Sequence, residues 1–448
     1  MSLFNEFESV SYNQWLEKIN SDLKGKDFNE NLVWKTDEGF DIDPIYHSEQ
    51  LKDNKSSKYH LFNDSTNWEI REQVVINSPK EANKTALIAL KGGANSIQFN
   101  GNINTLEDLE QLLDGIMLSI ISIHFYSNTP NKTTSLLSEY FSKHGINKNE
   151  LNCFVAFDVL GDGLVNGKMA PIEVSDVISI NGYHYTNAGA NISQELAFTL
   201  NQAVAYLDAA SNNGTSIEKT IDSFHFNLGL GTNFFFEIAK IRAFKILWKL
   251  ISAQYGYEIL PYIHANTSSY QLAAEDSETN ILRTTTEAMS AIIGGVNSLS
   301  ITPFNVAYEN PNNFTSRVAR NIHLLLQEEA YLNKVADAAK GAYYIENLTD
   351  KIVASALTKF KEIEAKGGFI ENIQNNTIQN EVENNHKKNI NAYLNNEKTL
   401  LGVNKHPNKT EKLKTYLNSE SQVSNEQFKA LKPKFLAKEI STTLVNEQ

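Results

Sequence analysis

Ten histidines are scattered through this chain, and four of them fall in or at the ends of β-branched and aromatic runs: His124, His184, His225 and His264. An imidazole in such a place can serve as acid, base or hydrogen-bond donor near neutral pH. His184 is the candidate for chemistry. It stands in ISINGYHYTNAGA (178–190), between Tyr183 and Tyr185 and just after Gly182, which permits close approach. The other three have a plainer reading as interior side chains satisfied by their neighbours. No metal-ligand spacing joins the histidines, since H-E-x-x-H and paired cysteines are both missing. GLGTNFF (229–235) has the outline of a phosphate loop, but a lone G-x-G without the P-loop lysine points instead to close backbone approach at a strand-to-helix turn.

These positions need a scaffold that gathers strand ends. From residue 71 onward, short β-branched or aromatic runs alternate with longer stretches of helical periodicity. The strand candidates are REQVVIN (71–77), SIQFN (96–100), ISIHFY (121–126), CFVAFDV (153–159), VISINGYH (177–184), SFHFNLG (223–229), LPYIHAN (260–266) and SLSITP (298–303). Helical stretches fall near 80–92, 105–115, 132–144, 193–212, 231–255, 279–294 and 312–327. Such alternation demands crossover connections and parallel strands, and eight units of this kind close into an α/β fold, the (β/α)8 TIM barrel. An open doubly wound sheet needs a glycine-rich turn after its first strand, and none follows residue 77. Barrel active sites lie where the C-terminal strand ends meet their loops.

One interval breaks the rhythm. GDGLVNGKMAPIEVSD (161–176) offers two glycine-bracketed turns and a proline, with room for at most a single helical turn. Around the barrel of residues 71–330, the sequence predicts an N-terminal arm (1–70) with a helix over YNQWLEKINSDL and a helical extension (331–370) closed by Gly-Gly. An Asn/Lys-rich tail or linker follows (371–448), read as extended or loosely helical.

Composition narrows the function classes. A net charge of -13 argues against nucleic acid as a partner, because backbone binding needs clustered Lys and Arg. With 41% apolar and 21% charged residues the chain can bury a sizeable core. The single cysteine, Cys153, lies in an apolar run and reads as a small buried hydrophobe; it allows no intrachain disulfide, which suits a reducing, cytoplasmic setting. No run of 18 apolar residues and no basic-then-apolar leader occur, so neither a membrane span nor export is expected.

ISINGYHYTNAGA resembles the I-S-I-S-G-Y-H-x-x-E-A-G-A segment of the methylmalonyl-CoA mutase family, and the likeness continues through ELAFTLNQAVAYLDAA. LGLGTNFFFEIAKIRAFKILW and the run from FTSRVARNIHLLLQEEAYLNK to KGGF are similar to the same family, so that the resemblance covers roughly residues 10 to 410. It implies a barrel that takes an acyl-CoA along its axis. It also implies a separate flavodoxin-like domain that brings adenosylcobalamin to the open face for a radical rearrangement of methylmalonyl-CoA and succinyl-CoA. The family's cobalt-binding motif is D-x-H-x-x-G, and none of the ten histidines has Asp two residues before it. The expectation is therefore a chain that stops where the cobalamin domain begins and binds no cofactor or metal itself.

Departures inside the barrel point the same way. In NWEIRE (67–72) the family's active chains follow the arginine with Gln-Tyr, whereas Arg71 is followed by Glu72 and Gln73. YIHANTSSY resembles R-T-H-S-Q-T-S-G-W, with Tyr262 in place of arginine and Asn266 in place of glutamine. The interval 160–176, where active chains carry an arginine for the substrate carboxylate, has none. A buried carboxylate without a cationic partner costs several kcal/mol, of order 3 or more. The resemblance thus implies a non-catalytic small (beta) subunit, with Tyr183 and His184 as relics, heterodimeric with a large (alpha) subunit that holds the adenosylcobalamin and the acyl-CoA. Trp15 and Trp34 are candidate interface anchors in the arm. The alternative is the catalytic acyl-CoA barrel of a split mutase that borrows a separate cobalamin-binding subunit; a third, weaker reading is a stand-alone small-molecule binder.

Overall fold

The computed structural model describes residues 9–51, 58–62, 66–171, 177–408, 414–417 and 426–446. The arm opens with helix α1 (Tyr12–Asp22), which starts at a capping box of Ser11 and Gln14, and a single turn α2 (Phe28–Asn31). A two-residue antiparallel ladder follows, β1 (Trp34–Lys35) against β2 (Asp41–Ile42).

Eight parallel strands then close on themselves. They are β3 (Glu69–Val75), β4 (Ser96–Asn100), β5 (Ser122–Tyr126), β6 (Asn152–Phe157), β7 (Val177–Asn181), β8 (Phe224–Leu230), β9 (Tyr262–Thr267) and β10 (Ser298–Ser300), with β10 paired to both β9 and β3. The protein is a (β/α)8 TIM barrel. Its outer helices are α3 (Pro79–Lys91), α4 (Leu106–Leu113), α5 (Pro130–His144), α6 (Val159–Asn166), α7 (Tyr183–Asn187), α8 (Ile192–Asn212), α9 (Ile217–Asp222), α10 (Phe234–Gln254), α11 (Thr279–Gly294) and α12 (Asn313–Glu328). Local signals start them: Ser78 caps α3 with Pro79 at its first turn, and capping boxes open α4 (Thr105, Asp108) and α8 (Asn191, Gln194). The outward strand faces carry Ile97, Phe99, Ile123, Phe125, Ile178, Phe226, Ile263 and Leu299, all buried against these helices.

After the barrel come α13 (Tyr343–Ala365), packed on α8 and α10, then α14 (Gly368–Gln374), α15 (Thr377–Leu394) and α16 (Leu436–Asn446). No helix among the described residues is long and apolar enough to cross a membrane.

Three local expectations change. The interval after β6 holds two turns of helix, α6, because the Asp158 side chain caps it at Gly161 and Gly167 ends it with a left-handed φ of 68°; residues 172–176 lie outside the described residues. The strand expected over 177–184 ends early: β7 stops at Asn181 and His184 lies in the short helix α7. The Asn/Lys-rich stretch contains the regular helix α15, whose buried residues Ile378, Val382, His386 and Tyr393 form a stripe at helical spacing.

Candidate functional site

Barrel interiors are ordinarily filled by layers of branched aliphatic side chains. Here the inward faces are mostly polar or small, with Phe154 on β6 an apolar exception: Glu69, Arg71 and Gln73 on β3, Ser96 on β4, Ser122 and His124 on β5, Ser179 and Asn181 on β7, His225 and Asn227 on β8, and Tyr262, His264 and Asn266 on β9. Small residues leave room at the axis, and five large ones take it.

Those five form a closed ring near the N-terminal ends of the strands. Arg71 Nη2 lies 2.8 Å from His124 Nε2; the His124 ring stacks on Phe154 at 5.0 Å; Phe154 meets His225 edge-on at 5.4 Å. His225 stacks on Tyr262 at 4.2 Å, and Tyr262 returns to Arg71 Nη2 at 2.8 Å. His124 and His225 also face each other across the ring at 6.0 Å, within contact range for aromatic rings. Glu69 underlies the ring, accepting from Arg71 at 2.9 Å and from Ser122 at 2.8 Å. Arg71 Nη2 has two hydrogens for three near acceptors, so it serves two of them at a time.

The electrostatics leave this ring neutral overall. Burial opposes ionisation of Glu69, but the Arg71 guanidinium, donating to it at 2.9 Å, prevails and holds its carboxyl well below the usual range. Burial, aided by Arg71, lowers His124 to about 4; burial likewise depresses His225 and His264, and it pushes Tyr262 up to about 12. One guanidinium and one carboxylate therefore compensate each other among neutral rings.

A second layer lies toward the C-terminal mouth. Gln73 Nε2 donates to Asn266 Oδ1 at 2.7 Å, and Asn100 and Gln98 extend that amide chain. On the opposite side Tyr126 donates to Asp162 at 2.9 Å and accepts from Asn181 at 2.8 Å, and Asn181 in turn is bound by Asn227, which reaches Ser179. Buried Asp158 fixes the backbone of this layer by accepting from the Asn181 and Gly161 amides, Gln202 and Tyr206. A cavity of about 280 Å³ opens beside Gln73, Asn266 and Ser300, at the lower end of small-molecule pockets.

His184 stands apart from both layers. Its Nε2 is enclosed with no hydrogen-bond partner, burial lowers its pKa to about 4, and the Tyr183 ring lies against it at 4.4 Å. Gly182 admits Thr199, whose hydroxyl occupies the space a Cβ would need, and Gly229 of the GLGTN turn lies so close to Thr186 that a Cβ there would come within 2.7 Å. His264 is held between Ser298 at 2.7 Å and Ser300 at 3.2 Å.

Of the histidines singled out in the sequence, the structure brings His124 and His225 into one ring, places His264 beside it and leaves His184 outside. Glu69, Phe154 and the Asp162–Tyr126–Asn181 chain were not singled out. The signal for them is the period-2 placement of polar residues on strands that parallel packing would make apolar on both faces.

Residues 168–440 match the sequence model of a family described as "Methylmalonyl-CoA mutase". The "Methylmalonyl-CoA mutase small subunit" of Porphyromonas gingivalis is 34% identical over 91% of this chain and 72% of its own length. The chain belongs to the methylmalonyl-CoA mutase family. "Methylmalonyl-CoA mutase" of Rhizobium meliloti is 29% identical over 84% of the chain, and the mitochondrial methylmalonyl-CoA mutase of Bos taurus 28% over 94%. The match spans only 61% and 64% of those two proteins.

Proposed function

We propose that this methylmalonyl-CoA mutase family chain is the non-catalytic small (beta) subunit of a heterodimeric, adenosylcobalamin-dependent methylmalonyl-CoA mutase, supporting a large (alpha) subunit that holds cofactor and acyl-CoA. A cytoplasmic heterodimer that interconverts methylmalonyl-CoA and succinyl-CoA is the corresponding assembly. The reading is carried by the closed ring of Arg71, His124, Phe154, His225 and Tyr262 on the barrel axis. An acyl-CoA threaded along that axis would have to break the ring and strand the Glu69 carboxylate, at a cost of several kcal/mol, of order 3–5. The residues at the altered family positions support it too, since Gln73 and Asn266 satisfy each other and Tyr262 is taken by Arg71 and Glu69.

On this reading the cobalt ligand is supplied by the large subunit. Both nitrogens of His386 are engaged, by Tyr270 at 2.8 Å and by the Glu439 carboxylate at 2.9 Å. No group of three or more His, Cys, Asp or Glu among the described residues could hold a metal ion. One observation favours the split-mutase reading, in which this barrel itself takes the acyl-CoA: the enclosed, partnerless Nε2 of His184. The test is to purify the chain alone and with its large subunit and to measure cobalamin binding, acyl-CoA binding and mutase turnover in each. All three should require the large subunit. Turnover by this chain with only a free cobalamin domain added would establish the split enzyme instead.

A further inference from the structure

A groove of about 700 Å³ runs between the arm and α15, lined by Trp34 and Lys35 on one side and by residues 384–398 on the other. Asn384, Lys388, Asn391 and Asn395 follow one another at steps of four, three and four, a single stripe along the helix. The face of α15 that the fold uses is a different one, carried by Ile378, Val382 and His386. The groove stripe is thus surplus to the packing of the chain.

Its charge is unusual for this molecule. Lys398 is held by Asp37 and by Asn389 at 2.8 Å, so that pair is internally settled. Lys387 reaches Glu383 only at 3.8 Å, with 66% of its side chain exposed, and Lys35 and Lys388 are exposed as well. Glu383 is held more closely by Lys434 at 2.5 Å, so among the described groove-lining residues three exposed lysines face one remaining acid, Glu397, on a chain of net charge -13. At the same place Trp34 rests edge-on against Phe236 at 5.3 Å and leaves 49% of its surface exposed. A half-buried tryptophan fixed on a packed neighbour and flanked by lysines is the pattern of an interface anchor with a charged rim.

We propose that this groove docks an acidic segment of a partner protein, with carboxylates on Lys35, Lys387 and Lys388 and an apolar side chain covering Trp34. The assignment of that segment to the large subunit rests on the subunit reading above. Extended polyanions fit less well. A nucleic acid or an anionic membrane presents charge over a wide area and meets the repulsion of the whole acidic chain, whereas a short peptide confines its charge to the groove, within a Debye length of about 8 Å at physiological ionic strength.

The experiment compares the full-length chain with its Lys387→Glu/Lys388→Glu and Trp34→Ala variants for association with the large subunit, by calorimetric titration at about 0.05 and 0.3 M salt. Circular dichroism melts run alongside as a folding control, which the exposure of Lys387 and Lys388 should leave unchanged. The charge reversal is expected to weaken association by about tenfold or more at low salt and to flatten its salt dependence, and Trp34→Ala to weaken it at both salts. Association of the reversal variant within about twofold of the parent, with the same salt dependence, overturns the groove while leaving the subunit reading intact. Failure of the unaltered chain to associate at all overturns both. Binding of the isolated chain to phosphatidylserine vesicles through the same lysines overturns the peptide assignment.

Discussion

Arg71 and Tyr262 meet across β10, the guanidinium donating to the phenol oxygen at 2.8 Å while that phenol lies 3.2 Å from Glu69. The contact joins the third residue of β3 to the first of β9 and completes the ring on the barrel axis. The cation is the indispensable member, because it compensates a largely buried carboxylate. Arg71→Met is expected to lower stability by about 3–5 kcal/mol, and Tyr262→Phe by only about 1 kcal/mol. Urea unfolding of the two variants checks the order; equal losses would mean that Glu69 does not depend on Arg71.

His184 offers a kinetic prediction. If it is a relic, His184→Ala leaves the turnover of the assembled enzyme within about twofold, whereas removal of a working acid or base costs on the order of a hundredfold. Steady-state rates of the complex distinguish the two outcomes.

Asp162 gives a prediction in pH. Burial, and then the charge of Asp158, raises its carboxyl to about 7, while an unfolded aspartate titrates near 4. Between those values the folded protein keeps a proton that the unfolded chain has released, so this group's contribution to stability declines as pH rises through the window and is constant above about 7. Asp162→Asn, which still accepts from Tyr126, should therefore gain on the parent by up to about 1.4 kcal/mol per pH unit from about pH 4 to 7, with no further gain above. Unfolding free energies of both proteins at several pH values test this; a difference that does not change with pH contradicts it.

The eight strands and most outer helices are legible in the sequence because each carries its own period and its own cap, as at Ser78–Pro79 and Asn191–Gln194. What is not legible depends on closure of the sheet. Glu69 looks like a loop residue until β3 turns it into the barrel, so the first strand begins two residues earlier than its apolar run. Phe154 and Tyr262 are 108 positions apart and become ring members only because β6 and β9 face one axis. Gly182–Tyr183–His184 reads as the end of a strand because Tyr favours sheets, yet β7 ends where Asn181 is captured by Asp158 and Asn227, and the chain turns into α7.

The tail is tied down by a relay from barrel to helices: Tyr270 to His386 on α15 to Glu439 on α16. His386→Ala leaves the buried Tyr270 hydroxyl without that partner, a loss of about 1–3 kcal/mol. Hydrogen exchange should quicken in α15 and α16 and stay unchanged in β3 to β5. Uniform quickening across the barrel would show that the relay supports the whole fold.

The most direct measurement is an equilibrium titration of the isolated chain with succinyl-CoA. With its axis closed by its own side chains, the chain should show no saturable binding at millimolar ligand, and the same titration should saturate once the large subunit is present. Tight, one-to-one binding to the isolated chain, abolished by substitutions that line the barrel axis, would contradict the account.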